Sequence, residues 1–142
     1  HQSHNGIKQT VIALNTVYKN QPALYELDSS AAGFTWIDNN NNQQSILSFV
    51  RYAKNAKDFV VVIANFTPAS YENYVIGVPS KGRYKVILNT DNTQFFGSGV
   101  EVTKDSSQIV HATNESNHGF KHSISIAIGG LTTIYLQKVD DE

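Results

Sequence analysis

The sequence predicts an all-β fold: an antiparallel β-sandwich with Greek-key connections, preceded by one N-terminal α-helix. Three observations carry this. Helical periodicity is strong at only one place, where Ile7, Val11, Leu14 and Tyr18 fall on one helix face. Everything after it alternates in short apolar stretches at strand spacing, and turn residues separate those stretches at close intervals. Short strands joined by tight turns favour a sandwich over α/β layering.

The helix has a candidate N-cap in Asn5 and a stop in Pro22, which disfavours helical backbone at Gln21, so it should end near Lys19 or Asn20. In the first strand Phe34 and Trp36 lie two apart and share a side of the sheet; alternation reads Trp36 as a core residue. Leu47 and Phe49 form a second such pair. Between them the run Asn39-Asn40-Asn41-Asn42 and its two glutamines is read as an exposed loop. Phe59 to Ala64 is continuously apolar and rich in β-branched residues, as a central strand covered on both faces would be. Tyr74–Val78, Arg83–Leu88, Ser123–Ile128 and Thr132–Val139 bring the strands to at least seven. Pro79-Ser80-Lys81-Gly82 and Gly129-Gly130 are read as turns. Residues 89–121 show the weakest periodicity, and a long connection of that kind is where a recognition surface is expected.

Composition removes several function classes. With 142 residues, 40% of them hydrophobic, the chain can bury one proper core as a single soluble domain. A net charge of -1 and no block of like charge give no electrostatic footprint for nucleic acid or an anionic membrane, so neither partner is expected. There is no cysteine, which excludes disulfides and thiolate metal sites and suits a cytoplasmic setting. No apolar run is long enough to cross a bilayer, and the start HQSHNG lacks the features of a secretion signal. The chain contains no Met, and is read as a piece of a longer protein.

The stretch from Asp58 to Gly99 carries further information. Asn65-Phe66-Thr67-Pro68, Tyr74-Val75-Ile76-Gly77-Val78-Pro79, Ile87-Leu88-Asn89-Thr90-Asp91 and Phe96-Gly97-Ser98 follow one another in an order and spacing that resemble the C-terminal domain of glycogen branching enzyme, in the α-amylase superfamily. Gly33-Phe34-Thr35-Trp36-Ile37-Asp38, Ser45-Ile46-Leu47-Ser48-Phe49-Val50-Arg51 and His118-Gly119 extend the resemblance over nearly the whole chain. It implies that residues 1–24 are the last helix of a catalytic (β/α)8 barrel and a linker, and that residues 25–142 are the C-terminal sandwich. The family joins α-glucan chains through α-1,6 branches. Its catalytic carboxylates lie on barrel strands upstream, so the resemblance implies a supporting domain with no catalytic, cofactor-binding or metal residue of its own. Two other readings stay open: an independent α-glucan-binding module, and the same domain from another amylase-superfamily enzyme such as a debranching enzyme.

One turn departs from the family pattern. Two prolines are common between the last two strands, where this chain has Gly129-Gly130. If the turn keeps the family's backbone, proline there should stabilise by roughly 0.4–1 kcal/mol.

Candidate chemistry is sparse. Retaining transfer between sugars needs two carboxyl groups about 5–5.5 Å apart. Glu26 with Asp28, and Asp91 alone, are the local candidates, and turn or capping roles account for them. His118 and His122 have a spacing that serves a metal only on a helix, which Gly119 argues against. Asn65-Phe66-Thr67 and Asn114-Glu115-Ser116 match the glycosylation pattern and, without a secretion signal, are read as chance. Aromatic rings offer the remaining possibility, because sugar rings can lie on them. Tyr71, Phe95 and Phe96 are placed in loops and are the candidate glucan contacts.

Overall fold

Eight strands make up two antiparallel sheets in a computed structural model that describes residues 33–38, 45–91 and 99–139. The helix expected over Ile7–Tyr18 lies outside the described residues, as does the asparagine run. The strands are β1 (Phe34–Asp38), β2 (Ile46–Tyr52), β3 (Phe59–Asn65), β4 (Tyr71–Val78), β5 (Arg83–Asn89), β6 (Ile109–His111), β7 (His122–Ile128) and β8 (Thr133–Val139). One sheet has the order β1-β2-β3-β8-β5-β6; the other pairs β4 with β7. The chain crosses to the small sheet after β3, returns, crosses again after β6 and returns as β8 to the middle of the large sheet. This is the predicted antiparallel sandwich with Greek-key connections.

The core lies between the sheets. Ile46, Val50, Val61, Ile63, Ile134 and Leu136 face Ile76, Ile124, Ile126 and Ile128. β-Branched side chains dominate because they lose little freedom on a pleated, covered surface. Tyr84 is wholly buried in this layer, and its hydroxyl donates to the Ser80 carbonyl at 2.7 Å, so the ring's one polar atom is satisfied.

Strand β3 is apolar on both faces, as its unbroken run predicts. Val60 and Val62 belong to a second cluster on the outer face, with Ala53 and the partly buried Phe49, Ile87 and Tyr135. Trp36 departs from expectation. It is 45% exposed, and Ile37 is the residue of β1 that enters the core. Trp36 packs instead with Phe34 (ring centroids 5.0 Å) and Phe49 (5.9 Å) on the outer face. Alternation correctly puts Phe34 and Trp36 on one side. It does not say which side, and in β2 likewise Ile46, Ser48 and Val50 are the buried set, with Leu47 and Phe49 outward.

The turn after β7 also corrects the expectation. Gly129 and Gly130 do not need a left-handed backbone; they need to lack a side chain. A Cβ on Gly129 would run into the Asp91 carboxylate, and one on Gly130 would run into the Pro68 carbonyl. Proline carries a Cβ, so the expected gain from proline becomes a loss.

Candidate functional site

Two of the segments that carry the family resemblance, Asn65–Pro68 and Asn89–Asp91, meet beside the turn at residues 129–132, in a buried polar cluster. Asn65 closes β3 and is 2% exposed. Its amide nitrogen donates to the carbonyls of Ala69 (2.8 Å) and Gly129 (2.9 Å). Its oxygen accepts from the backbone N–H of Thr67 (3.0 Å) and the Thr67 hydroxyl (2.8 Å). Four bonds exhaust both amide protons and both oxygen lone pairs, which fixes the path of Asn65-Phe66-Thr67-Pro68 against the turn at residues 129–132. The backbone completes the seam: Asn65 and Thr132 exchange N–H to carbonyl bonds at 2.8 and 3.1 Å, and Leu131 N–H donates to Thr67 at 2.7 Å.

Asn89-Thr90-Asp91 joins the same cluster from β5. The Asp91 N–H donates to the Asn89 side-chain oxygen at 3.0 Å, an Asx turn of the kind its sequence suggests. Asp91 is 5% exposed, and its Oδ2 accepts from the Val100 N–H at 2.9 Å. Asn89 donates to the Val100 carbonyl at 2.9 Å, and the Thr90 hydroxyl accepts from the Thr133 N–H at 2.9 Å. The carboxylate thus holds the returning 99–100 segment to β5. Its position is that of a structural anchor. Glu26 and Asp28 lie outside the described residues.

A second tie links the sheets. Asn117 and Phe120 exchange backbone bonds across His118 and Gly119, both with positive φ (51° and 81°), a tight turn of the mirror-image type. It comes so close to β4 that a Cβ on Gly77 would collide with the Asn117 carbonyl. The Gly77 N–H donates to His118 Nδ1 at 3.1 Å, and His118 Nε2 lies 3.4 Å from Asp38 Oδ2. An imidazole that accepts at Nδ1 carries its proton at Nε2, facing the carboxylate. His118 is therefore engaged at both nitrogens, in a loop, while His122 opens β7. Among the described residues no group of three or more His, Asp or Glu side chains could hold a metal ion.

Of the proposed glucan contacts, Phe95 and Phe96 lie outside the described residues. Tyr71 is not in a loop: it is the first residue of β4, half-buried, paired with Ile128 and packed near Tyr74 with ring centroids 6.5 Å apart. Sequence reasoning missed it because two exposed residues, Glu72 and Asn73, interrupt the apolar pattern at an irregularity in the ladder. An open groove of about 460 Å³ runs past Tyr52, Phe59, Pro79 and the lysines Lys57, Lys81 and Lys138. Dispersed lysines had no sequence signal. Asn65, by contrast, was legible as a motif residue but not as the hub of a hydrogen-bond cluster, since its partners are remote in sequence.

Comparison with known proteins agrees with this architecture. Residues 36–139 match the model of the alpha amylase, C-terminal all-beta domain family. The chain is 40% identical over 139 residues to the 1,4-alpha-glucan branching enzyme GlgB of Francisella tularensis subsp. holarctica, covering 98% of this chain and 21% of that protein. It is 41% identical over 133 residues to the 1,4-alpha-glucan branching enzyme GlgB of Photobacterium profundum, covering 94% of this chain and 18% of that protein. The chain thus spans about a fifth of the length of the curated relatives it matches. The match over residues 36–139, with which the two-sheet antiparallel architecture agrees, shows that the chain belongs to the alpha-amylase C-terminal all-β domain family.

Proposed function

We propose that this chain is the C-terminal part of a 1,4-α-glucan branching enzyme that forms α-1,6 branches in glycogen synthesis in the cytoplasm. Residues 25–142 are the sandwich, which braces a catalytic (β/α)8 barrel without taking part in the reaction; residues 1–24 are that barrel's last helix and a linker. The carrying observation is the match to branching enzymes across 98% of the chain, restricted to 21% of their length. The chemistry supports it. Asp91, the one buried carboxylate among the described residues, is committed to the Val100 N–H. A single anchored carboxylate cannot act as nucleophile and acid/base together. No cofactor is needed, and no helix among the described residues is long and apolar enough to cross a membrane.

The test compares two proteins by iodine staining of amylose. The longer protein that carries this chain should lower the absorbance and create α-1,6 links, and the 142-residue chain alone should leave the stain unchanged. A longer protein without branching activity, or activity in the purified chain, overturns the proposal.

The half-exposed ring of Tyr71, next to the exposed Glu72 and Asn73, favours a second reading in which it contacts α-glucan together with Phe95 and Phe96. Migration of the chain through a gel containing soluble glycogen should then be retarded, and Tyr71→Ala should relieve it. Equal migration of both proteins removes this reading.

A further inference from the structure

We infer that the exposed apolar rim formed by Phe66, Pro68, Ala69 and Leu131 is the surface by which this sandwich docks on the catalytic barrel of its own polypeptide, an assignment that rests on the function proposed above.

Leu131 is the starting point. Its φ is +50°, in the left-handed region, where glycine is free of strain and a bulky apolar side chain is an outlier. The other non-glycine residues with positive φ among those described are Ser45, Gln108 and His118, all polar. Hydrogen bonds, not the leucine, set this backbone: the Leu131 N–H donates to the Thr67 carbonyl at 2.7 Å, and the Thr132 hydroxyl donates to the Gly130 carbonyl at 2.9 Å. Nor does the side chain serve the core, since Leu131 is 71% exposed. Two glycines precede it, yet the strained position holds a leucine. A side chain that strains its backbone and adds nothing to the core of its own domain has its use outside that domain.

Phe66 stands across from it. Asn65 pairs with Thr132 and Thr67 accepts from Leu131, which sets Phe66 opposite Leu131 in the seam. Phe66 is 62% exposed, so the two most exposed large hydrophobic residues among those described are neighbours. Pro68 and Ala69 are exposed beside Phe66. Neither Asn65–Ser70 nor Ile128–Thr133 contains a charged residue, and the cores of interfaces are depleted of charge and enriched in aromatic rings. The four hydrogen bonds of Asn65 hold the rim in place before anything docks, so little ordering remains to oppose docking.

Size and chemistry select the occupant. Four side chains are far short of the roughly 800 Å² per partner that a stable complex of separate molecules buries, which disfavours a second copy. A partner on the same polypeptide needs much less, because tethering holds it at a high effective concentration. The comparison supplies such a partner: the chain covers 21% of the branching enzyme it matches, so about four-fifths of that protein lies beyond it. A glucan chain fits less well. Its hydroxyls need polar partners, and the side chains of Asn65, Thr67 and Thr132 are already engaged with one another or with the backbone.

The test is a photocross-link in the longer protein. With p-benzoylphenylalanine in place of Leu131, irradiation and peptide mass spectrometry should join position 131 to residues that precede this chain. A cross-link between two copies, to an added α-1,4-linked oligosaccharide, to a residue of the 142-residue chain itself, or to nothing overturns the inference. Stability gives a second readout. Leu131→Gly should leave the melting temperature of the 142-residue chain unchanged or raise it by a few degrees, and should lower that of the longer protein by a few degrees. Phe66→Ser should likewise lower only the longer protein's. Equal shifts in the two proteins overturn the inference, because the side chains would then serve the sandwich alone. The branching-enzyme reading fails separately: it falls if the longer protein with Leu131 unaltered does not branch, whatever the cross-link shows.

Discussion

Replacing Asn65 with alanine should cost this fold about 3 kcal/mol, far more than its polar character suggests. The side chain makes four hydrogen bonds, to Ala69, Gly129 and twice to Thr67. At a net worth of about 1 kcal/mol each they sum to about 4 kcal/mol. Water can recover part of this at Ala69 and Thr67, whose bonds are half-buried, but not at the Gly129 carbonyl, whose bond is buried. An orphaned buried acceptor costs a further 1–3 kcal/mol or so, which offsets only part of that recovery and leaves a net loss of about 3 kcal/mol. Urea titration followed by circular dichroism should show a lower midpoint with an unchanged slope, and a melting temperature reduced by about 10 °C. Asn65→Asp sharpens the test. It keeps the shape and the acceptor facing Thr67 but turns an acceptor toward two carbonyls, so it should be at least as damaging near neutral pH and less so in acid, where the carboxyl is protonated. A loss under about 1 kcal/mol for Asn65→Ala would refute the argument, because that is the cost of an ordinary surface change.

Gly130→Ala should destabilise by roughly 1–3 kcal/mol, since its Cβ meets the backbone carbonyl of Pro68, which has no rotamer to escape into. Gly129→Ala meets the Asp91 side chain and should cost less; a melting temperature unchanged or raised by Gly130→Ala would contradict the close-approach account. Burial holds the hydroxyls of Tyr52 and Tyr135 above the usual tyrosine range, against a smaller opposing effect of the Thr35 hydrogen bond on the first and of Arg51 on the second. A folded-state pKa above the unfolded value of about 10 leaves stability intact below that pH and removes it as pH rises through the folded value. Tyr135→Phe and Tyr52→Phe together should therefore flatten the alkaline fall in stability, and identical slopes for variant and parent would refute this.

Much of the architecture was legible because burial on a sheet has a period of two. Phe59–Ala64, Arg83–Leu88, Ser123–Ile128 and Thr132–Val139 all fall within a residue of β3, β5, β7 and β8 at each end. β6 was missed since three residues, Ile109–His111, are too short to show a period. The side taken by Trp36 was illegible for a different reason: alternation is symmetric, and the identity of the inner face depends on which sheet comes to cover it. A sheet apolar on both faces, as at β3, removes even the polar residues that would have marked the outside. The Gly129-Gly130 turn was read through the freedom of glycine when the need was for emptiness, and emptiness is set by Asp91 and Pro68, remote in sequence. The Asn65 cluster was hidden in the same way: its motif was visible, its partners were not.

The position of β8 has a consequence for how the protein is made. The last of the described strands lies between β3 and β5, so until Thr133–Val139 emerges from the ribosome the large sheet exists only as two fragments with bare hydrogen-bonding edges. Val60 must wait for Gln137, and Val86 for Leu136. Pairing of this kind is slow and cannot start before β8 has been made. Translation stopped even a few residues short of Thr133 would leave no partial sandwich worth keeping, only two sticky half-sheets. A cell that checks for strand edges would thereby detect an unfinished copy of this protein, wherever in the preceding chain the fault arose.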